Sequence, residues 1–271
     1  MPSYVITGVS RGLGWEFLKQ TSDDNKNTVI GLVRDKASTE KRVAEELGSR
    51  QNVKILEADI TDYASLQKAA TNTAAITGGG LDYLIANAGY IPTWDEFSTI
   101  GELATTQRHE LAERFHKVMD TNVLGNINLY SLFIPMILKG SVKKVVCLSS
   151  GLADLEPVRA FEVETSPLYS SSKAAMNMIN AKFSAQYKKD GILFLSISPG
   201  VINTKLEPPT PEQMKISMAL MVKFQQYAPH FKGPSSPSEA VRSVLNVVEK
   251  SSLDNGDGGA FLSHHGNKEW L

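Results

Sequence analysis

The 271-residue chain holds one cysteine, Cys147, and almost no net charge, with 28 basic side chains against 29 acidic ones. A single thiol excludes an internal disulfide and a cysteine-based metal cluster. Its setting in the apolar run VVCLSS marks it as a buried structural group. Balanced charge provides no global field to gather nucleic acid or an anionic membrane, so neither is expected as a partner. No apolar run approaches the roughly 20 residues of a spanning helix, and the opening MPSYVITG lacks the basic-then-apolar pattern of a leader. The expectation is a soluble, cytoplasmic protein whose specificity comes from a local site. His109, His116, His230, His264 and His265 show no metal-site spacing with a third ligand, so structural or surface roles and no metal are expected.

What the chain does have is a rhythm. Short β-branched runs recur at residues 4–7, 28–33, 53–57, 81–86, 142–148 and 192–198, each apolar throughout rather than alternating. That is the pattern of strands buried on both faces of a parallel sheet. Between them lie segments with apolar residues at helical spacing, including 63–76, 111–138 and 168–188. The alternation predicts repeated βαβ units in one doubly wound α/β domain spanning residues 1–271, a Rossmann-type arrangement of about seven parallel strands flanked by helices. Ligands of such sheets sit beyond the carboxyl ends of the strands. Residues 202–237 break the rhythm with flanking prolines and a methionine-rich stretch, and read as a helical flap over a cleft or as a helix packed on the core. The tail DNGDGGAFLSHHGNKEWL predicts a turn, a last strand at 260–262 and an end packed on a neighbouring subunit. Trp94, Phe97, Met214, Met218, Met221 and Phe224 lie in variable stretches and either line an apolar pocket or simply pack.

Two local patterns carry chemistry. TGVSRGLG places Gly8, Gly12 and Gly14 where a strand ends and a helix begins, so a phosphate can approach bare backbone at a helix N-terminus. The next strand ends at Arg34, whose planar fork suits a phosphate on the cofactor ribose, and Arg11 could reach the same group. This predicts NADP(H), unless Asp35 is the residue that meets the ribose. The second pattern is the single Tyr-x-x-x-Lys in the sequence, Tyr169 and Lys173, one helical turn apart and preceded by a strand ending in Ser149 and Ser150. A free phenol titrates near 10 and carries protons poorly at neutral pH. An ammonium one turn away is expected to lower that value, and a serine hydroxyl to hold a substrate oxygen against the phenol.

With these motifs in order, the chain resembles the short-chain dehydrogenase/reductases, NAD(P)-dependent oxidoreductases, and within them the carbonyl-reductase branch found in fungi. TGVSRGLG resembles the family's glycine motif, with Gly8, Ser10, Arg11, Gly12, Leu13 and Gly14 on the cofactor. ADI would place Asp59 and Ile60 beside the adenine, and NAG would run Asn87, Ala88 and Gly89 along the cofactor. The resemblance implies a tetrad of Asn122, Ser150, Tyr169 and Lys173: Tyr169 the acid/base, Lys173 its modulator and a ribose ligand, Ser150 the substrate holder with Ser149 the alternative, and the Asn122 backbone ordering a water toward Lys173. It puts Pro199, Ile202 and Thr204 at the nicotinamide end, and it implies a homodimer or homotetramer through the helices at 111–138 and 168–188. Two stretches, 90–110 and 151–167, are longer than the family usually has and would shape the substrate site. The expected activity is hydride transfer between NADP(H) and a ketone or aldehyde, or the corresponding alcohol. Two other readings stay open: a fold repurposed for isomerisation or cyclisation in secondary metabolism, and a non-catalytic NADP-sensing regulator.

Overall fold

A computed structural model describes residues 1–48, 50–202 and 210–271. In chain order its first half runs β1 (Ser3–Thr7), α1 (Gly12–Thr21), β2 (Thr28–Val33), α2 (Lys36–Leu47), β3 (Val53–Glu57), α3 (Tyr63–Thr77) and β4 (Tyr83–Ala86). Next come α4 (Thr93–Glu96), α5 (Ile100–Thr106), α6 (Arg108–Met119), a π-turn (Asp120–Leu124) and α7 (Gly125–Ile137). The second half contains β5 (Lys144–Leu148), α8 (Leu155–Ala160), α9 (Pro167–Tyr187), β6 (Leu193–Ser198), α10 (Pro211–Tyr227), α11 (Pro237–Lys250) and β7 (Ala260–Ser263). Among the described residues seven strands form one parallel sheet in the order β3-β2-β1-β4-β5-β6-β7. The order reverses between β1 and β4, which opens a crevice at their carboxyl ends.

Alternation along each strand divides its apolar residues between two cores. Val5, Ile30, Leu84, Val145 and Phe194 face Leu66, Leu129, Tyr130 and Phe133 of α3 and α7. Their neighbours Ile6, Val29, Ile85, Val146 and Leu195 face Phe17 and Leu18 of α1 and Val241, Val244 and Val248 of α11. The continuous apolar runs in the sequence follow from this two-sided burial. Helix α11 places Ala240, Val241, Val244, Val247 and Val248 on one buried stripe and begins with a reciprocal Ser236–Glu239 cap.

The helix expected over 111–138 runs without a gap from Arg108 to Ile137 and widens into a π-turn at Asp120–Leu124, where the Asn122 side chain is tied across to the Tyr90 backbone. Beside it Gly125 lies so close to the Ile60 carbonyl that a Cβ would come within 2.7 Å of that oxygen. The 202–237 stretch contains α10, none of whose residues is fully buried. Near the chain end, Trp270, 4% exposed, stacks on Phe261 at 4.3 Å.

Candidate active site

The crevice is built from strand ends. After β1, Gly8 adopts φ +74, open to glycine at little cost, and the chain turns into α1. At Gly14 a Cβ would lie 2.1 Å from the Gly8 carbonyl oxygen and 2.5 Å from Asn87 Nδ2, so only a bare α-carbon fits the turn. Asn87 Nδ2 donates to the Thr7 carbonyl at 2.9 Å, and the Asn87 and Ala88 amides donate to Thr7 Oγ1 at 3.1 and 2.9 Å. Thr7 therefore staples the NAG segment to the glycine turn, a role its ordinary place in a strand did not signal.

The first turn of α1 fits an anionic group. Its N-cap residue Arg11 makes no side-chain cap among the described residues, and no acidic residue lies in the first turn. By contrast α2, α3 and α11 are capped by Asp35, Asp62 and Ser236. The α1 amides are thus left for a ligand such as a pyrophosphate. Arg42, which sequence reasoning missed, stacks its guanidinium 4.0 Å from the Trp15 ring centroid and donates to the Ser10 carbonyl at 3.0 Å, fixing the turn from outside. Leu13 belongs to the same first turn of α1.

At the edge of β2, Arg34 is exposed, whereas the Asp35 carboxylate accepts the Ser38 amide at 3.0 Å as the cap of α2. Burial would raise the Asp59 carboxyl, but hydrogen bonds from the Thr61 amide and hydroxyl, aided by the Arg34 charge, outweigh it and hold Asp59 below the usual range. Ile60, next to it, packs on Gly125.

At the end of β5 and the start of α9 the four tetrad positions converge. Ser150 lies near enough to the Tyr169 phenol to favour its ionised form, and its Oγ accepts the Leu152 amide at 3.2 Å. Ser149 instead points into the interior, 4% exposed, with no side-chain partner among the described residues. Lys173 Nζ donates to the Leu148 carbonyl at 2.7 Å and lies 5.7 Å from the Tyr169 ring centroid. A Cβ on Gly89 would sit 3.5 Å from that ammonium and 3.4 Å from Asn122 Oδ1, which places the NAG segment beside both. Asn122 is fully buried: its Nδ2 donates to the Tyr90 carbonyl and to Ser172 Oγ, and its Oδ1 accepts the Tyr90 amide at 2.7 Å. A further residue outside the sequence expectations, Asp95 of α4, accepts the Tyr169 amide at 2.7 Å.

The electrostatics run against one expectation. Burial, seconded by the Cys147 thiol, pushes the Tyr169 phenol above its ordinary value, and Ser150 offsets this only in part. Burial likewise lowers Lys173. The ammonium is held by the Leu148 carbonyl, and burial is the leading cause of the shift in both groups.

The remaining wall comes from the chain's last third. Pro199 follows β6, and Ile202 is bridged to Ser235. Thr204 lies outside the described residues. Trp270 lies against the turn after Ser150, where a Cβ on Gly151 would fall 2.7 Å from the Trp270 Cβ. Its Nε1 donates to Asp154 at 3.1 Å, and its amide donates to the Tyr227 hydroxyl of α10 at 3.1 Å. Helix α10 is tied to the 151–167 stretch by Lys223, paired with Glu164, and by Tyr227 edge-on to Phe161 at 5.3 Å. Its Met214, Met218 and Val222 remain 46%, 64% and 54% exposed.

Comparison with known proteins gives consistent results. The short chain dehydrogenase family profile matches residues 3–215. Over the full length of both chains, the sequence is 54% identical to the short chain dehydrogenase virK of Hypocrea virens. It is 49% identical, again over the full length of both, to the short-chain dehydrogenase/reductase iacC of Pestalotiopsis fici. Among solved structures, the NADPH-bound carbonyl reductase from chicken fatty liver superposes with a TM-score of 0.79 over 98% of each chain at 24% identity, a likeness of fold.

Proposed function

The chain belongs to the short-chain dehydrogenase family of oxidoreductases, and on that premise we propose that it is an NADP(H)-dependent carbonyl reductase in which Tyr169 is the general acid/base. The observation that carries the proposal is the meeting of Ser150, Tyr169 and Lys173 at the carboxyl ends of the strands, beside a helix N-terminus left uncapped. NADPH, when bound, supplies the hydride. Gly8, Ser10, Gly12, Leu13 and Gly14 would hold its pyrophosphate, Arg11 and Arg34 its ribose phosphate, and Asp59 with Ile60 its adenine. Asn87, Ala88 and Gly89 would run along it, Lys173 would hold the second ribose, and Pro199, Ile202 and Thr204 would border the nicotinamide. With one Asp35 oxygen capping α2, the exposed Arg34 is the cation at that edge, which supports the phosphorylated cofactor.

In the reduction, Ser150 holds the carbonyl oxygen and Tyr169 donates its proton to that oxygen. Lys173 and the Asn122 backbone pass a proton back from solvent. A phenol is protonated at neutral pH, the form that reduction of a carbonyl requires. The exposed apolar face of α10 fits a moderately large, apolar ketone or aldehyde. As further parts of the same reading, the protein is a cytoplasmic homodimer or homotetramer.

The test follows NADPH absorbance with a panel of ketones, aldehydes and quinones, with Tyr169→Phe as control. Cofactor consumption by the parent but not by a variant that still binds NADPH supports the reading. Product formation that does not require NADPH would replace it with isomerisation or cyclisation, and tight NADPH binding without turnover of any substrate would replace it with a sensing role.

A further inference from the structure

Helix α9 begins in an unusual way. Its N-cap, Ser166, has left-handed backbone angles of φ 57 and ψ 43 and makes no side-chain cap of its own. A Ser in that position ordinarily sits in an extended conformation and accepts the amides of the second or third helical residue. Here the hydroxyl turns away and donates to the Glu96 carbonyl at 3.2 Å. Pro167 has no amide to satisfy, which leaves the Leu168 and Tyr169 amides as the unmatched donors of the first turn.

Asp95 fills that place from more than 70 residues away in sequence. Its Oδ1 accepts the Leu168 amide at 3.1 Å, its Oδ2 accepts the Tyr169 amide at 2.7 Å, and its own carbonyl accepts the Ser166 amide at 3.1 Å. The residue is completely buried. A carboxylate in such a place is tolerated only when hydrogen-bonded, and the N-terminus of a 21-residue helix is where its charge is favoured. The segment carrying it is docked at the start of α9 from the C-terminal end of α4, by the Ser166 contact to Glu96 and by a bridge between Thr99 and Thr165.

We propose that Asp95 is a positioning residue for Tyr169: its carboxylate, supplied by the long 90–110 stretch, replaces the missing local cap and fixes the backbone from which the phenol reaches the substrate oxygen. The inference rests on the reading of Tyr169 as the proton donor. It ties the part of the chain expected to shape the substrate site directly to the acid, so that a displaced 90–110 stretch displaces the phenol with it. A misplacement of about 1 Å in a reacting group can cost on the order of a hundredfold in rate.

The test compares Asp95→Asn and Asp95→Ala with the parent and with Tyr169→Phe, using NADPH and an aromatic aldehyde as probes. Asn keeps the shape but offers one acceptor oxygen where the carboxylate offers two; Ala offers none. Normalised to NADPH-binding sites counted by fluorescence titration, kcat should fall about tenfold or more in Asn and further in Ala. The Kd for NADPH should stay within about twofold, and the solvent isotope effect on kcat should rise as proton delivery becomes limiting. If Ala fails to fold, Asn carries the same comparison. Turnover per NADPH site within about twofold of the parent, or a fall with no change in the solvent isotope effect, would overturn the role of Asp95. Parental kcat in Tyr169→Phe would instead overturn the reading of Tyr169.

Discussion

Replacing Gly14 with Ala sets local preference against tertiary packing. The position lies in the first turn of α1 and is not among the glycines with positive φ, so the backbone itself would accept alanine. On helix propensity alone the change stabilises by about 0.4–1 kcal/mol. The added Cβ, however, would lie 2.1 Å from the Gly8 carbonyl oxygen, 2.5 Å from Asn87 Nδ2 and 2.8 Å from the Gly8 carbonyl carbon. Two of these three atoms are backbone, so relief requires the turn and α1 to separate by about an ångström, and overpacking of this kind costs roughly 1–3 kcal/mol. The separation also loosens the 2.9 Å bond from Asn87 to Thr7. The net expectation is a loss of about 1–2 kcal/mol, or roughly 2–6 °C in Tm. Binding should suffer more than folding. Each lost hydrogen bond to a charged phosphate is worth about 1.5–3 kcal/mol, hence roughly a 10- to 100-fold weaker Kd for NADPH. Thermal melts with and without NADPH, and a fluorescence titration, read both quantities. An unchanged or raised Tm together with parental affinity would refute the reasoning about this turn.

Three further predictions follow from other parts of the crevice. Arg34→Glu should weaken NADPH roughly 10- to 100-fold by loss of a charge-assisted phosphate contact while affecting NADH little, and equal losses for both cofactors in parallel titrations would contradict the assignment. Trp270→Ala removes a large buried ring that stacks on Phe261 and anchors Asp154 and Tyr227, so urea unfolding should show a loss of about 3–5 kcal/mol, whereas a loss under about 1 kcal/mol would mean the tail is not packed as described. Burial, with the His265 charge second, lowers His264 from 6.5 to about 4. The unfolded chain therefore takes up a proton that the folded chain refuses as pH falls from about 6.5 toward 4, and stability declines across that window. After discounting for the ring's partial exposure, this contributes about 1 kcal/mol between pH 7 and pH 5, so the stability difference between those pH values should shrink by that much in His264→Gln, and an unchanged difference would exclude the effect.

Much of the sheet could be read from the sequence because two-sided burial writes itself as uninterrupted apolar runs. TVIGLV and LFLSIS are buried along nearly their whole length. The glycine turn, NAG and the Tyr169–Lys173 pair were legible for a related reason, since each depends on residues close together in the chain. What escaped is what distant segments do to one another. Apolar spacing continues through Asn122 without a break, yet that side chain is tied to Tyr90 and the helix widens into a π-turn there. Local capping rules look at Ser166, whereas the cap comes from Asp95. Arg42 reads as half of an i,i+4 pair with Glu46, and only the fold brings it onto the Ser10 carbonyl. Spacing reveals the lysine beside Tyr169 but not the burial that raises the phenol.

The most direct test follows deuterium. Parent and Tyr169→Phe would each be incubated with NADPH deuterated at the transferable position and an aromatic aldehyde, and the alcohol analysed by mass spectrometry. Alcohol carrying one deuterium per turnover from the parent, and its near absence from a variant that still binds NADPH, is the predicted result. Unlabelled product, or labelled alcohol formed as fast without the phenolic oxygen, would contradict it.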